Sequence, residues 1–170
     1  MKTKILIFSM LTICFLSSSA FSQDVIVIDG LGGVRGRFMQ GEVDRLQQQG
    51  LHVVYRPWWR WRSAARSAPQ ASRVIGYSMG GPRAIQIAKM VGANQLELLD
   101  PVSIRSMHAP DGTVTAVYRA SMPDRIHSTP VFGQSYEYWF PTNHPGMAVQ
   151  FPSFPRPWYC LLYTSPSPRD

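Results

Sequence analysis

Cysteine is all but missing from this chain. Two occur in 170 residues, Cys14 inside an apolar leader and Cys160 in an irregular C-terminal stretch. That scarcity excludes a disulfide-stapled scaffold and a zinc site built on cysteine. Charge is sparse as well. Charged residues make up 16% against 45% hydrophobic ones, a balance that excludes a disordered chain and suits one domain with a real core. Acidic residues number 10 against 17 basic ones, a net charge of +7 at pH 7. That surplus is compatible with anionic membranes or acidic substrates, but more often reflects solubility alone. The apolar run from Ile5 to Leu16 is too short to span a bilayer. No internal repeat is present.

Lys2 and Lys4 precede that run and small residues follow it, so residues 1–22 read as a signal peptide cleaved before Gln23. The expected location is secreted or periplasmic, with an uncleaved anchor helix as the alternative. Residues 160–170 lack any amphipathic pattern and resemble a translated sequencing adapter. The expected domain is therefore 23–159, with 160–170 a non-native tail and the natural C-terminus missing.

Between these ends, apolar runs alternate with helical patterns. Asp24 to Ile28 is a continuous apolar run, as in a strand buried on both faces. Further strands are expected at Leu51 to Tyr55, at the run ending in Tyr77, at Gln95 to Leu99, Thr113 to Arg119 and Ser135 to Phe140. Helices are expected at Phe38 to Gln49, Ser63 to Gln70 and Pro82 to Val91. This alternation predicts βαβ units and an α/β fold. Gly30-x-Gly32 begins a dinucleotide fingerprint, but Arg35 occupies the position of its third glycine, which argues against a nucleotide cofactor. Trp58-Trp59-Arg60-Trp61-Arg62 lies just past a strand end. It reads first as core packing with arginines stacked on the rings. An acyl pocket, a membrane interface and base stacking are the alternatives.

The chain is organised around Arg73-Val74-Ile75-Gly76-Tyr77-Ser78-Met79-Gly80-Gly81-Pro82. An apolar strand runs into Gly-x-Ser-x-Gly and a helix starts at once, the context of a nucleophile elbow. Gly76 and Gly80 leave room for the strand and helix to approach. A serine hydroxyl needs a base, and the base needs an acid to fix its tautomer. The chain offers four histidines, His52, His108, His127 and His144, and two well-placed acids, Asp100 and Asp124.

From Val25 to His144 the sequence resembles the α/β-hydrolase superfamily, notably its small lipases and esterases. The resemblance implies a mostly parallel sheet of about six strands with helices on both faces, C-terminally truncated here, and a Ser–acid–His order along the chain. It implies Ser78 as nucleophile and His144, after the last expected strand, as base. Asp100 sits in Leu98-Leu99-Asp100-Pro101, which looks like the acid segment of pancreatic-type lipases. Asp124 has the commoner superfamily position; Asp100 is preferred. Met79 and Leu31 would supply the oxyanion N–H groups. Asp29 stands where the family usually has His. The implied activity is hydrolysis of carboxylic ester or thioester bonds without metal or organic cofactor. The implied partner is a small-molecule or lipid acyl ester, with transient membrane-surface contact and no nucleic acid. An inactive hydrolase-fold binding module is the alternative.

Overall fold

The computed structural model describes residues 24–31, 37–122 and 126–153. The leader, both cysteines, the 160–170 tail and Asp124 lie outside the described residues. The apolar run at the start forms β1 (Asp24–Asp29), followed by α1 (Gln40–Gln48) and β2 (His52–Pro57). A single 3₁₀ turn, Trp58–Arg60, leads into α2 (Trp61–Ser67), then β3 (Arg73–Tyr77), α3 (Gly80–Val91) and β4 (Gln95–Leu99). The rest comprises β5 (Met107–His108), β6 (Val114–Ala120), β7 (Val131–Phe132), β8 (Tyr136–Phe140) and α4 (His144–Gln150), with a last 3₁₀ turn at Phe151–Ser153.

Six strands form one sheet in the order β2-β1-β3-β4-β6-β8. Every neighbouring pair in it is parallel. Parallel neighbours require crossovers; α1, α2 and α3 run between strands, and with α4 the helices cover both faces. Ile26 and Ile28 of β1 pack with Ala64, Ala84 and Ile87 of α2 and α3. Val25 and Val27, pointing the other way, pack with Val43 and Leu46 of α1 and Met147 of α4. The expected α/β sheet with two covered faces is therefore what forms. The pair β5–β7 is a separate two-stranded ribbon. Elements of two residues carry no periodicity and escape sequence reading.

Several boundaries move. Phe38 and Met39 precede α1 rather than opening it, yet both pack on the α1 side of the core. β2 continues through Pro57, tolerated because it is an edge strand. His144, expected in a loop, is the first residue of α4; Asn143 caps the helix, its Oδ1 accepting from Gly146 N at 2.9 Å. The tryptophans divide. Trp58 and Trp61 pack half-buried against the α2–α3 core, whereas Trp59 is 45% exposed. The Arg83 guanidinium lies 6.0 Å from the Trp58 ring and 5.7 Å from the Trp61 ring, and Arg62 lies 4.8 Å from Trp61. Core packing thus accounts for Trp58 and Trp61 and leaves Trp59 over.

A Cβ on Gly76 would lie 2.5 Å from Ala84 Cβ and 2.8 Å from Gly80 O. Gly76→Ala is expected to destabilise the fold by about 1–3 kcal/mol through overpacking. Gly41→Ala, where the nearest atom is 3.4 Å away, serves as the tolerated control in urea unfolding. Equal midpoints for the two variants would contradict the close approach.

Candidate active site

Ser78 follows the last residue of β3 and has φ 53°, in the left-handed region. A non-glycine residue there is strained by about 1–3 kcal/mol. The strain is held by the ladder itself. Ser78 N donates to Leu99 O at 2.9 Å, one residue past β3, and Ser78 O accepts from Val102 N at 3.1 Å. Asp100 repeats the device one strand over. Its φ is 41°, and its N donates to Tyr118 O at 2.7 Å. Two adjacent strands therefore end in left-handed residues whose side chains sit at the same sheet edge.

His144 lies between them. Its Nδ1 is 2.5 Å from Asp100 Oδ2 and its Nε2 is 2.9 Å from Ser78 Oγ. His144 is only 3% exposed, unlike an ordinary surface histidine. Tyr77 fixes it further. The Tyr77 ring stacks on the imidazole with centroids 5.1 Å apart, and its hydroxyl donates to His144 O at 3.0 Å. Asp100 is 2% exposed, and its Oδ1 accepts from Ala120 N at 3.3 Å. With Nδ1–H donating to Asp100, Nε2 is left to accept from the serine hydroxyl.

The other histidines stand apart. His52 Nδ1 pairs with Asp24 Oδ1 at 2.8 Å, at the far end of β1 and β2. His108 is exposed with its ring 5.5 Å from that of Phe132. His127 lines a cavity of about 430 Å³ with Asp100, Arg119 and Trp139. Leu31 and Met79, expected to border an oxyanion, reach the serine differently, Met79 as its neighbour in the chain and Leu31 through Gly30. Met79 follows Ser78 and opens α3. Leu31, 66% exposed, follows Gly30, where an added Cβ would lie 2.8 Å from Ser78 Cβ.

Asp29 is the residue whose role sequence reasoning missed. It is fully buried, takes the Gly30 N–H on Oδ1 at 2.8 Å and accepts the Tyr55 hydroxyl on Oδ2. Burial pushes its carboxyl above the ordinary 3.8, against the pull of hydrogen bonds from Tyr55, Gly30, Met39 and Phe38. Burial and the carboxylate beside it push the Tyr55 phenol up in turn. The signal available in the sequence was a charged residue closing an apolar strand.

No protein-family model matches the chain, and no curated protein matches it. Solved structures do. A protein from Xanthomonas campestris pv. campestris assigned to the α/β hydrolase superfamily superposes with TM-score 0.57 at 14% identity, over 84% of this chain and 99% of that one. A protein from Thermoplasma acidophilum designated a predicted CIB-like hydrolase gives TM-score 0.52 at 11% identity, over 79% and 83%. This chain has the α/β-hydrolase fold. In that fold ligands bind outside the carboxyl ends of the strands, the edge at which Ser78, Asp100 and His144 meet.

Asp29 also sets a pH dependence. Its folded pKa lies above the unfolded value of 3.8, so its contribution to stability is full below that value and lost as pH rises through the folded one. Wild-type stability relative to Asp29→Asn is expected to fall as pH climbs from below 3.8 to neutrality, measured by urea unfolding at each pH. A flat difference, or one that grows with pH, contradicts a raised carboxyl.

Proposed function

We propose that the protein is a serine hydrolase cleaving carboxylic ester or thioester bonds. The observation that carries this reading is the continuous line from Asp100 Oδ2 through both nitrogens of His144 to Ser78 Oγ, at 2.5 and 2.9 Å. Ser78 Oγ attacks the acyl carbonyl while His144 Nε2 takes its proton. Asp100 holds the imidazole tautomer and stabilises the imidazolium that forms. The N–H groups of Leu31 and Met79 hold the developing oxyanion. Collapse of the tetrahedral species expels the alcohol or thiol, which receives the proton from His144. Water, deprotonated by His144, then attacks the acyl-enzyme and releases the acid and Ser78. These side chains and water suffice for every step, so the reading calls on no metal or organic cofactor.

The hydrolase designations of both structural neighbours support the class of chemistry. Fold alone does not choose the bond, so the ester or thioester assignment rests on the residues. The signal-peptide reading of residues 1–22 supports a periplasmic or extracellular enzyme acting on a small-molecule or lipid acyl ester.

Ser78→Ala is expected to lower hydrolysis of p-nitrophenyl esters by at least about 10³-fold with the fold retained, because triad members act as a unit. Asp100→Asn should cost about 10⁴ in turnover, the loss seen for the matching change in a serine protease, and Asp124→Asn little. Steady-state kinetics of the three variants decide it. Near-normal turnover in Ser78→Ala would remove the mechanism, and a crippled Asp124→Asn beside an active Asp100→Asn would move the acid.

A further inference from the structure

A second concavity, of about 640 Å³, opens where α1 meets the carboxyl end of edge strand β2; Arg37, Gln40, Tyr55, Arg56, Trp59 and Arg60 line it. Its three arginines differ from most of those elsewhere, and unlike Arg66 and Arg105, likewise unpaired among the described residues, they share one concavity. Arg45, Arg73 and Arg119 each pair with a carboxylate, and Arg62 and Arg83 lie over tryptophan rings. Among the described residues no carboxylate lies within ion-pair distance of Arg37, Arg56 or Arg60. The neighbouring acids are engaged: Asp29 by Tyr55 and Gly30, Asp44 by Gln40 Nε2 at 2.6 Å. Arg56 is held in place, its Nη1 donating to Tyr55 O at 2.8 Å. Trp59 contributes a half-exposed ring braced edge-on against Trp58, centroids 5.9 Å apart.

Three guanidinium groups with no carboxylate partner among the described residues share one groove and repel one another until an anion joins them. A single carboxylate neutralises one charge. A phosphate group brings between one and two charges and several acceptor oxygens, and the planar fork of arginine matches it. The groove is also close to the nucleophile. β2 neighbours β1, which neighbours β3, and two strand spacings are roughly 10 Å. Tyr55 binds Asp29, and Gly30 abuts Ser78, so one ligand can reach both the groove and the serine.

We infer that this groove binds a phosphate group, and that the substrates of Ser78 carry one on the part that is not cleaved. The second clause rests on the proposed hydrolase function; the first does not. The phosphate belongs either to a soluble phosphorylated ester or to a phospholipid.

The test reads binding without turnover. Calorimetry with p-nitrophenyl phosphate probes the soluble source. Co-sedimentation with vesicles of phosphatidylcholine, alone or mixed with phosphatidylglycerol, probes the lipid source. The double variant Arg37→Gln/Arg60→Gln is expected to weaken whichever binding the wild type shows by at least about tenfold, the loss of charge-assisted hydrogen bonds. Arg66→Gln, an exposed arginine of α2 outside the groove, should leave it unchanged, and Ser78→Ala should retain it. Circular dichroism checks folding, and Arg60→Gln alone replaces the double variant if that fails to fold. Absence of wild-type binding to either probe overturns the inference, as does an equal loss in Arg66→Gln, which would reduce it to net charge. Phosphate binding without esterase activity overturns the proposed function alone; esterase activity without phosphate binding overturns the groove alone.

Discussion

Strand β3 can turn into helix α3 within two residues because Gly76 and Gly80 carry no Cβ. A methyl group on Gly80 would sit 2.4 Å from Ile28 O, and one on Gly76 would strike Ala84. Backbone of β1, β3 and α3 therefore meets backbone. That contact forces Ser78 into a left-handed conformation and lifts its hydroxyl off the sheet edge. The sheet tolerates the strain because its ladder runs past the strand ends: Ser78 N still finds Leu99 O, and Asp100 N still finds Tyr118 O. The buried runs of β1, β3 and β4 supply the apolar burial that offsets about 1–3 kcal/mol at each strained residue. Ser78, Asp100 and His144 are thus fixed by the most buried part of the molecule.

Much of this was legible in the residues. Val25 to Ile28 and Leu96 to Leu99 are apolar without alternation, which is what strands covered on both faces require. The elbow announces itself through glycines flanking a serine between a strand and a helix. The strand before it points to His144, and only the Leu-Asp-Pro segment favours Asp100 over Asp124; the structure brings His144 to Ser78 and Asp100 to His144. What was not legible depends on contacts distant along the chain. Tyr77 stacks on His144 across 67 positions, and nothing local marks it apart from other apolar residues of β3. Asp29 meets Tyr55 only because β1 and β2 pair in the register that sets Asp29 against Pro57. Arg37, Arg56 and Arg60 converge from a loop, a strand and a turn. The Trp/Arg stretch resolved only when α3 placed Arg83 over two of its rings, leaving Trp59 for the groove.

Asp29 gives that groove and the serine a common element. The carboxylate holds the N–H of Gly30 on one oxygen and the Tyr55 hydroxyl on the other. Tyr55 also belongs to the groove wall. A carboxyl group can meet both partners because it has an oxygen for each. Burial opposes its ionisation, and the two effects compete within one residue.

The central claim is that Ser78, activated by His144 and Asp100, is the nucleophile. Its most direct test is to treat the folded protein with a fluorophosphonate and locate the adduct by peptide mass spectrometry. The account predicts one adduct, on Ser78 Oγ, absent after His144→Ala and formed far more slowly after Asp100→Asn. A folded protein that forms no adduct, or one labelled at another residue while Ser78 stays free, would contradict it.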